Sequence, residues 1–178
     1  MTAAHPRRPV LAIVGSSEPS ARANGDAEEL GALAAERGWV VITGGRDTGV
    51  MAAAFRGAKR RGGLTVGILP DVSAKIAPNT DVAIVTDIGN ARNNIIVLSG
   101  DVVIACGIDG PGTSSEVSLA IKNGRHVVLL NASDEAIRFF GSIAGQRSGL
   151  LHNAASAKEA MDCAEQCVTV REIPTSGA

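Results

Sequence analysis

The segment Gly107-Ile108-Asp109-Gly110-Pro111-Gly112-Thr113-Ser114-Ser115-Glu116 gathers glycines, hydroxyls and carboxylates between an apolar run and a helical pattern. That is chemistry for an anion. The first turn of a helix presents unpaired N–H groups and a partial positive charge. Glycines let an oxyanion approach the backbone with no Cβ in the way. Gly110, Gly112 and the N–H groups of Thr113 and Ser114 form the expected cradle, with Pro111 between them and the Thr113 and Ser114 hydroxyls as further donors. Thr43-Gly44-Gly45-Arg46-Asp47-Thr48-Gly49 is a second loop of this kind, with a guanidinium beside it. Glycine-rich strand-to-helix turns also occur where tight packing is all that is needed, and spacing does not separate the two uses.

Single side chains carry the same ambiguity. Thr113 and Glu116 have the T-x-x-E spacing of a capping box, in which Glu116 only closes the first turn of a helix. One turn inside an anion site, Glu116 would instead reach a sugar hydroxyl. Arg92, in Gly89-Asn90-Ala91-Arg92-Asn93, stands at the start of a helical pattern, where a cation opposes the helix dipole. A nearby anion explains it; so does a solvated surface position. Asp87 either accepts from a ligand hydroxyl or caps its turn. No Gly-Lys-Ser/Thr follows either glycine-rich loop, so the Walker A pattern is absent. The first strand ends Gly15-Ser16-Ser17-Glu18-Pro19-Ser20, not G-x-G-x-x-G, which counts against a dinucleotide enzyme.

The elements that must position these residues alternate. Apolar runs at Val10–Gly15, Trp39–Thr43, Leu64–Leu69, Asp81–Thr86, Asp101–Cys106 and His126–Asn131 read as strands, with a short edge strand near 149–153. Helical patterns separate them. The first is capped at Asn24 or Asp26 and stops at Gly38; the second is capped at Asp47 or Thr48. A third turns Ile95, Ile96 and Leu98 inward. A fourth starts at Thr113, a fifth covers 134–145 and a last is capped at Ser156. Such alternation builds a single-domain, doubly wound parallel α/β sheet of about six to seven strands with helices on both faces. The domain is expected over 9–170, with a disordered leader at 1–8 and a disordered tail at 171–178. In this architecture ligands sit beyond the carboxyl ends of the strands. Gly15-Ser16-Ser17, Gly44-Gly45-Arg46, Asn90 to Asn93 and Gly110 to Glu116 all fall at such ends.

Composition narrows the class. The 178 residues are 45% hydrophobic but only 2% aromatic, with no Tyr, one Trp and a net charge of −1. Without a basic stripe or stacking aromatics, nucleic-acid binding is disfavoured. The apolar run after the N-terminal basic residues is too short for a signal peptide or a membrane span. Three cysteines without metal-like spacing point to free thiols in a reducing, cytoplasmic setting. Cys163 and Cys167 share a helix face, but with no His or carboxylate partner at ligand spacing they read as two small buried side chains. No metal set is expected.

The pairing of G-N-A-R-N with D-G-P-G-T-S-S-E, after T-G-G-x-x-x-G-V-M, resembles the Rossmann-like superfamily of Lonely Guy (LOG) phosphoribohydrolases, often mislabelled lysine decarboxylases. It is more similar still to a shorter branch, the molybdenum cofactor carrier proteins and their bacterial relatives, over 10–168. The resemblance implies that Gly110, Gly112 and Thr113 bind phosphate and that Glu116 and Arg92 match the family's Glu and Arg. It implies molybdenum cofactor (molybdopterin) as the ligand, or free molybdate, tungstate or phosphate. The pterin or metal oxo group would lie against Gly44, Gly45, Ser16 and Ser17. Molybdenum enzymes would be recipients and a homo-oligomer, dimer or tetramer, the assembly. The apolar surface of the second and third helices agrees with association. A nucleoside 5′-monophosphate phosphoribohydrolase, with Arg92 orienting the ribose and Glu116 stabilising an oxocarbenium-like sugar, is the alternative; a nucleotide sensor is a third. Asp109 replaces a glycine of the hydrolase loop. It must point away from the cradle or bind a hydroxyl.

Overall fold

Apolar runs too continuous to face water on either side need cover on both, and helices in the crossovers supply it. The computed structural model describes residues 7–169. Within them β1 (Val10–Gly15), β2 (Val40–Thr43), β3 (Leu64–Leu69), β4 (Val82–Val85), β5 (Val102–Cys106), β6 (His126–Leu130) and β7 (Leu151–Ala154) pair in parallel, in the order β4-β3-β2-β1-β5-β6-β7. The helices are α1 (Ala21–Glu36), α2 (Gly49–Arg60), α3 (Asn93–Ser99), α4 (Pro111–Lys122), α5 (Asp134–Ala144) and α6 (Ala157–Thr169).

The period-2 alternation of the central strands divides the core. Leu11, Ile13, Val41, Ile104 and Val128 bury one face under α1, α2 and α6. Ala12, Val14, Ile42, Val103 and Val127 bury the other under α3, α4 and α5. From β1 the chain winds one way through β2, β3 and β4. It crosses back to β5 and winds the other way through β6 and β7. The order therefore reverses between β1 and β5, whose last residues, Gly15 and Cys106, lie side by side. The protein is a single-domain Rossmann-like α/β fold with seven strands among the described residues.

Several boundaries differ from the sequence reading. α1 starts at Ala21, and its cap is Ser20, whose hydroxyl accepts from the Ala23 N–H at 3.2 Å. Asn24 and Asp26 lie inside the helix, because Ser20 offers the same capping oxygen one turn earlier. On α3 the inward residues are Ile96 and Val97, and Ile95 and Leu98 stay 38% exposed. The preceding Gly89–Arg92 segment is a 3-10 turn that rotates the helix face. α2 has little spare apolar surface: Val50, Ala53, Ala54, Phe55 and Ala58 are all fully buried. Edge strand β4 leaves Val82, Ile84 and Val85 more than two-fifths exposed. Of the expected leader, residues 1–6 lie outside the described residues, and Arg7 pairs with Asp101 at 2.6 Å. The expected tail lies outside them entirely. No helix among the described residues is long and apolar enough to cross a membrane.

Candidate functional site

At the reversal, β1 and β5 send their following segments to opposite faces of the sheet, and a gap opens above their carboxyl ends. A hollow of about 250 Å³ occupies it. Gly15, Ser16 and Ser17 border it from β1, and Gly44 and Arg46 from β2. The 3-10 turn after β4 contributes Asn90 and Arg92, and α3 contributes Asn93. Gly110, Pro111, Gly112, Thr113 and Glu116 come from the β5–α4 connection. Of the residues singled out in the sequence, Gly45, Ser114, Asp87 and Asp109 are not on its wall.

Ser114 is displaced because α4 starts earlier than T-x-x-E implies. Gly110 is the N-cap and Pro111 the first helical residue, a position its fixed φ favours. The Ser114 N–H then bonds the Gly110 carbonyl at 3.1 Å and opens the helical ladder. The N–H groups of Gly112 and Thr113 precede that ladder, and no side chain caps them. Thr113 sits at the third helical position rather than the cap. The capping box with Glu116 is therefore not formed.

Gly45 is displaced for a different reason. Its N–H bonds the Thr43 hydroxyl at 3.0 Å, and its carbonyl accepts from Ala77 N at 2.9 Å. It adopts φ +67, and a Cβ there would stand 2.7 Å from Gly67 Cα. The position serves packing against β3. Gly44, one residue earlier, does face the hollow. A Cβ on Gly44 would come within 2.7 Å of Met51 Sδ and 3.1 Å of Arg92 Nη1. Its bareness makes room for the Arg92 guanidinium.

Arg92 is only 6% exposed. Its Nη1 donates to Asn93 Oδ1 at 2.9 Å, and its Nε is buried without a partner. Burial pulls its pKa down and the nearby Glu116 charge opposes that. Glu116 is buried too, and burial pushes its carboxyl up to about 7, against the pull of Arg92. The surface reading of Arg92 and the capping reading of Glu116 both fall. Asp109 turns away from the hollow into a neighbouring cleft bordered by Arg22 and Asn131. Asp87, at φ 54, does not border the hollow.

Sequence reasoning missed Ile13, Val14 and Met51 on the apolar floor, and a second cleft that shares Arg46 and Asn90. Asp71, Ser73 and Lys75 line that cleft from the segment after β3. The segment is pinned over the second glycine-rich loop by Asp47 N to Lys75 O at 2.9 Å and by a Lys75–Asp47 ion pair at 2.6 Å. Its polar composition signalled only a loop. The antiparallel Arg46–Ile76 bridge that folds it back has no local signature.

Residues 8–161 match the model of the SLOG cluster4 family. The molybdenum cofactor binding protein of Rippkaea orientalis is 43% identical, with a TM-score of 0.86 over 91% of this chain and 98% of that one. The Moco carrier protein of Chlamydomonas reinhardtii is 40% identical, with a TM-score of 0.85 over 92% and 99%. An uncharacterized protein of Archaeoglobus fulgidus is 42% identical over 120 residues, 67% of this chain and 78% of its own length.

Proposed function

Since this chain belongs to the SLOG cluster4 family, we propose that it is a carrier that binds the molybdenum cofactor, its phosphate end on the start of α4 and its pterin and metal end toward Gly44, Ser16 and Ser17. The two relatives named for that cofactor cover almost all of this chain. The observation that carries the reading is the buried Arg92. Its guanidinium, with Nε unpartnered, faces the same hollow as the uncapped Gly112 and Thr113 N–H groups. A buried, under-satisfied cation is unfavourable alone and favourable beside an oxyanion.

Glu116 fits an anionic ligand because its raised pKa leaves it largely protonated below about 7. The hollow is small for a whole pterin cofactor, and the adjoining cleft beyond Arg46 and Asn90 provides the remaining length. Molybdate, tungstate or phosphate would use the same donors. Molybdenum enzymes are the recipients in this reading, and the setting is cytoplasmic. Val82, Ile84 and Val85 on β4, with Ile95 and Leu98 on α3, offer the apolar surface for a homo-oligomer.

The test is delivery. Protein purified from cells that make the cofactor should yield oxidised-pterin fluorescence and restore an apo-nitrate reductase; Arg92→Ala should do neither. Wild-type protein that carries no pterin and restores nothing would overturn the proposal. The phosphoribohydrolase remains a second reading because Arg92 and Glu116 share the hollow. A half-protonated carboxyl stabilises an oxocarbenium-like charge poorly, which favours the carrier. Free base released from AMP, and lost on Glu116→Gln, would reverse that preference.

A further inference from the structure

Well away from the hollow, the fold assembles a cluster that no local spacing encodes. His126 opens β6 and His152 lies on β7, which pair so that Val128 stands beside His152. Alternation puts 126, 128 and 152 on the face that α6 covers. From α6, Cys167 reaches the same place. His126 Nδ1 is 3.0 Å from His152 Nε2, and Cys167 Sγ is 3.5 Å from that same Nε2. One ligand atom from each residue fits within 4.8 Å of the others.

We infer that His126, His152 and Cys167 form a binding site for a zinc-class cation, separate from the cofactor hollow and built from two imidazoles and one thiolate. Tetrahedral zinc, with bonds of about 2.0–2.1 Å to nitrogen and about 2.3 Å to sulfur, holds its donor atoms roughly 3.3–3.6 Å apart. Two of the separations, 3.0 and 3.5 Å, lie just below and within that range, and the third is under 4.8 Å, so the side chains must shift to close on the ion. The ligand set is mixed nitrogen and sulfur, which selects zinc over hard, oxygen-seeking cations such as magnesium or calcium. Three protein ligands leave a fourth position for water. A cleft bordered by His152 and Cys163 gives the ion a way in from solvent.

Zinc takes the thiolate, so a divalent cation would displace the Cys167 thiol proton to solvent as the sulfur–metal bond forms, with no change of oxidation state. The ion would join β6, edge strand β7 and α6, three elements that meet at one border of the sheet.

The experiment titrates the reduced, full-length chain with Zn²⁺ against a chromophoric chelator, and with Co²⁺ as a spectroscopic probe. The expected result is one zinc per chain and a thiolate-to-cobalt charge-transfer band. Cys167→Ser should abolish the band, and His152→Gln should weaken zinc binding at least tenfold; a higher melting temperature with zinc should appear only in the wild type. Folding of each variant is checked by circular dichroism, and where one variant does not fold, the other and the wild-type band decide. A folded, reduced wild type that takes up no zinc, or cobalt binding with no thiolate band, would overturn the site. So would a band that survives Cys167→Ser. Because the cluster shares no residue with the cofactor hollow, its failure leaves the carrier reading untouched, and the reverse also holds.

Discussion

The two glycine-rich loops look alike in sequence and do different work. At Gly110–Thr113 the glycines and Pro111 leave two amide donors open at a helix start, and apart from its neighbours in its own helix no atom lies within 4 Å of where a Cβ on Gly112 would be. At Thr43–Arg46 the second glycine is locked by backbone geometry and by two hydrogen bonds, while the first clears space for Arg92. One loop presents donors to the hollow. The other holds a side chain at its wall. Glycine content signals close approach, and only the surroundings say whether a ligand or the protein itself approaches.

The contrast can be broken or sharpened by measurement, beginning with the charge inside α4. Glu116 has its folded-state pKa raised from 4.5 to about 7, so the folded state favours the neutral carboxyl. Its contribution is fully present below about pH 4.5 and is lost as pH rises through about 7. The loss is of order 3 kcal/mol at most, since every tenfold difference in proton affinity between the folded and unfolded states is worth about 1.4 kcal/mol. Denaturant melts of the ligand-free protein at pH 5 and pH 8 should show it, and Glu116→Gln should flatten the difference. A wild type with no such slope would mean that Arg92 compensates the Glu116 charge fully.

Next in size is Arg92→Ala. Losing a buried charged donor should weaken phosphate or molybdate binding by about 10- to 100-fold, the equivalent of roughly 1.5–3 kcal/mol. Folding should survive, because the unpartnered Nε loses nothing, while the bond to Asn93 and the charge opposite Glu116 are given up. Calorimetric titration paired with melting separates this from simple misfolding. Unchanged affinity would reduce the Gly44 loop to packing alone.

Gly45→Ala and Gly112→Ala then form a crossed pair. The first should cost about 1–3 kcal/mol of stability through positive φ and the close Gly67 backbone. Anion affinity of the folded fraction should stay the same. Gly112→Ala should do the opposite. It gains up to about 1 kcal/mol of helix propensity and weakens anion binding several-fold by placing a methyl near the open amides. If both variants lose stability, or both lose affinity, the two loops are not divided in this way.

Much of this was legible in the chain. Uninterrupted runs such as Val102–Cys106 have no plausible place except a buried strand, so the sheet and its winding followed from periodicity. The site could be anticipated as a set of strand ends, because a reversal in strand order always opens a gap there. What sequence misjudged were competing local signals. Thr113-x-x-Glu116 outweighed Pro111 as the helix start, although proline at the first helical position is the stronger constraint, and this displaced Ser114 from the cradle. Asn24 and Asp26 are acceptable caps by residue type, but Ser20 offers the same oxygen one turn earlier. What sequence could not show was tertiary. The meeting of His152 with Cys167, the burial that raises Glu116 and the turning of Asp109 into its own cleft all depend on neighbours far along the chain.

The most direct test of the account is a crystal structure of the full chain loaded with the molybdenum cofactor. The expected result places phosphate oxygens about 2.7–3.1 Å from the amide nitrogens of Gly112 and Thr113, with the Arg92 guanidinium alongside. A phosphate lodged instead in the neighbouring cleft by Arg22 and Asn131, with those two amides facing only water, would contradict it.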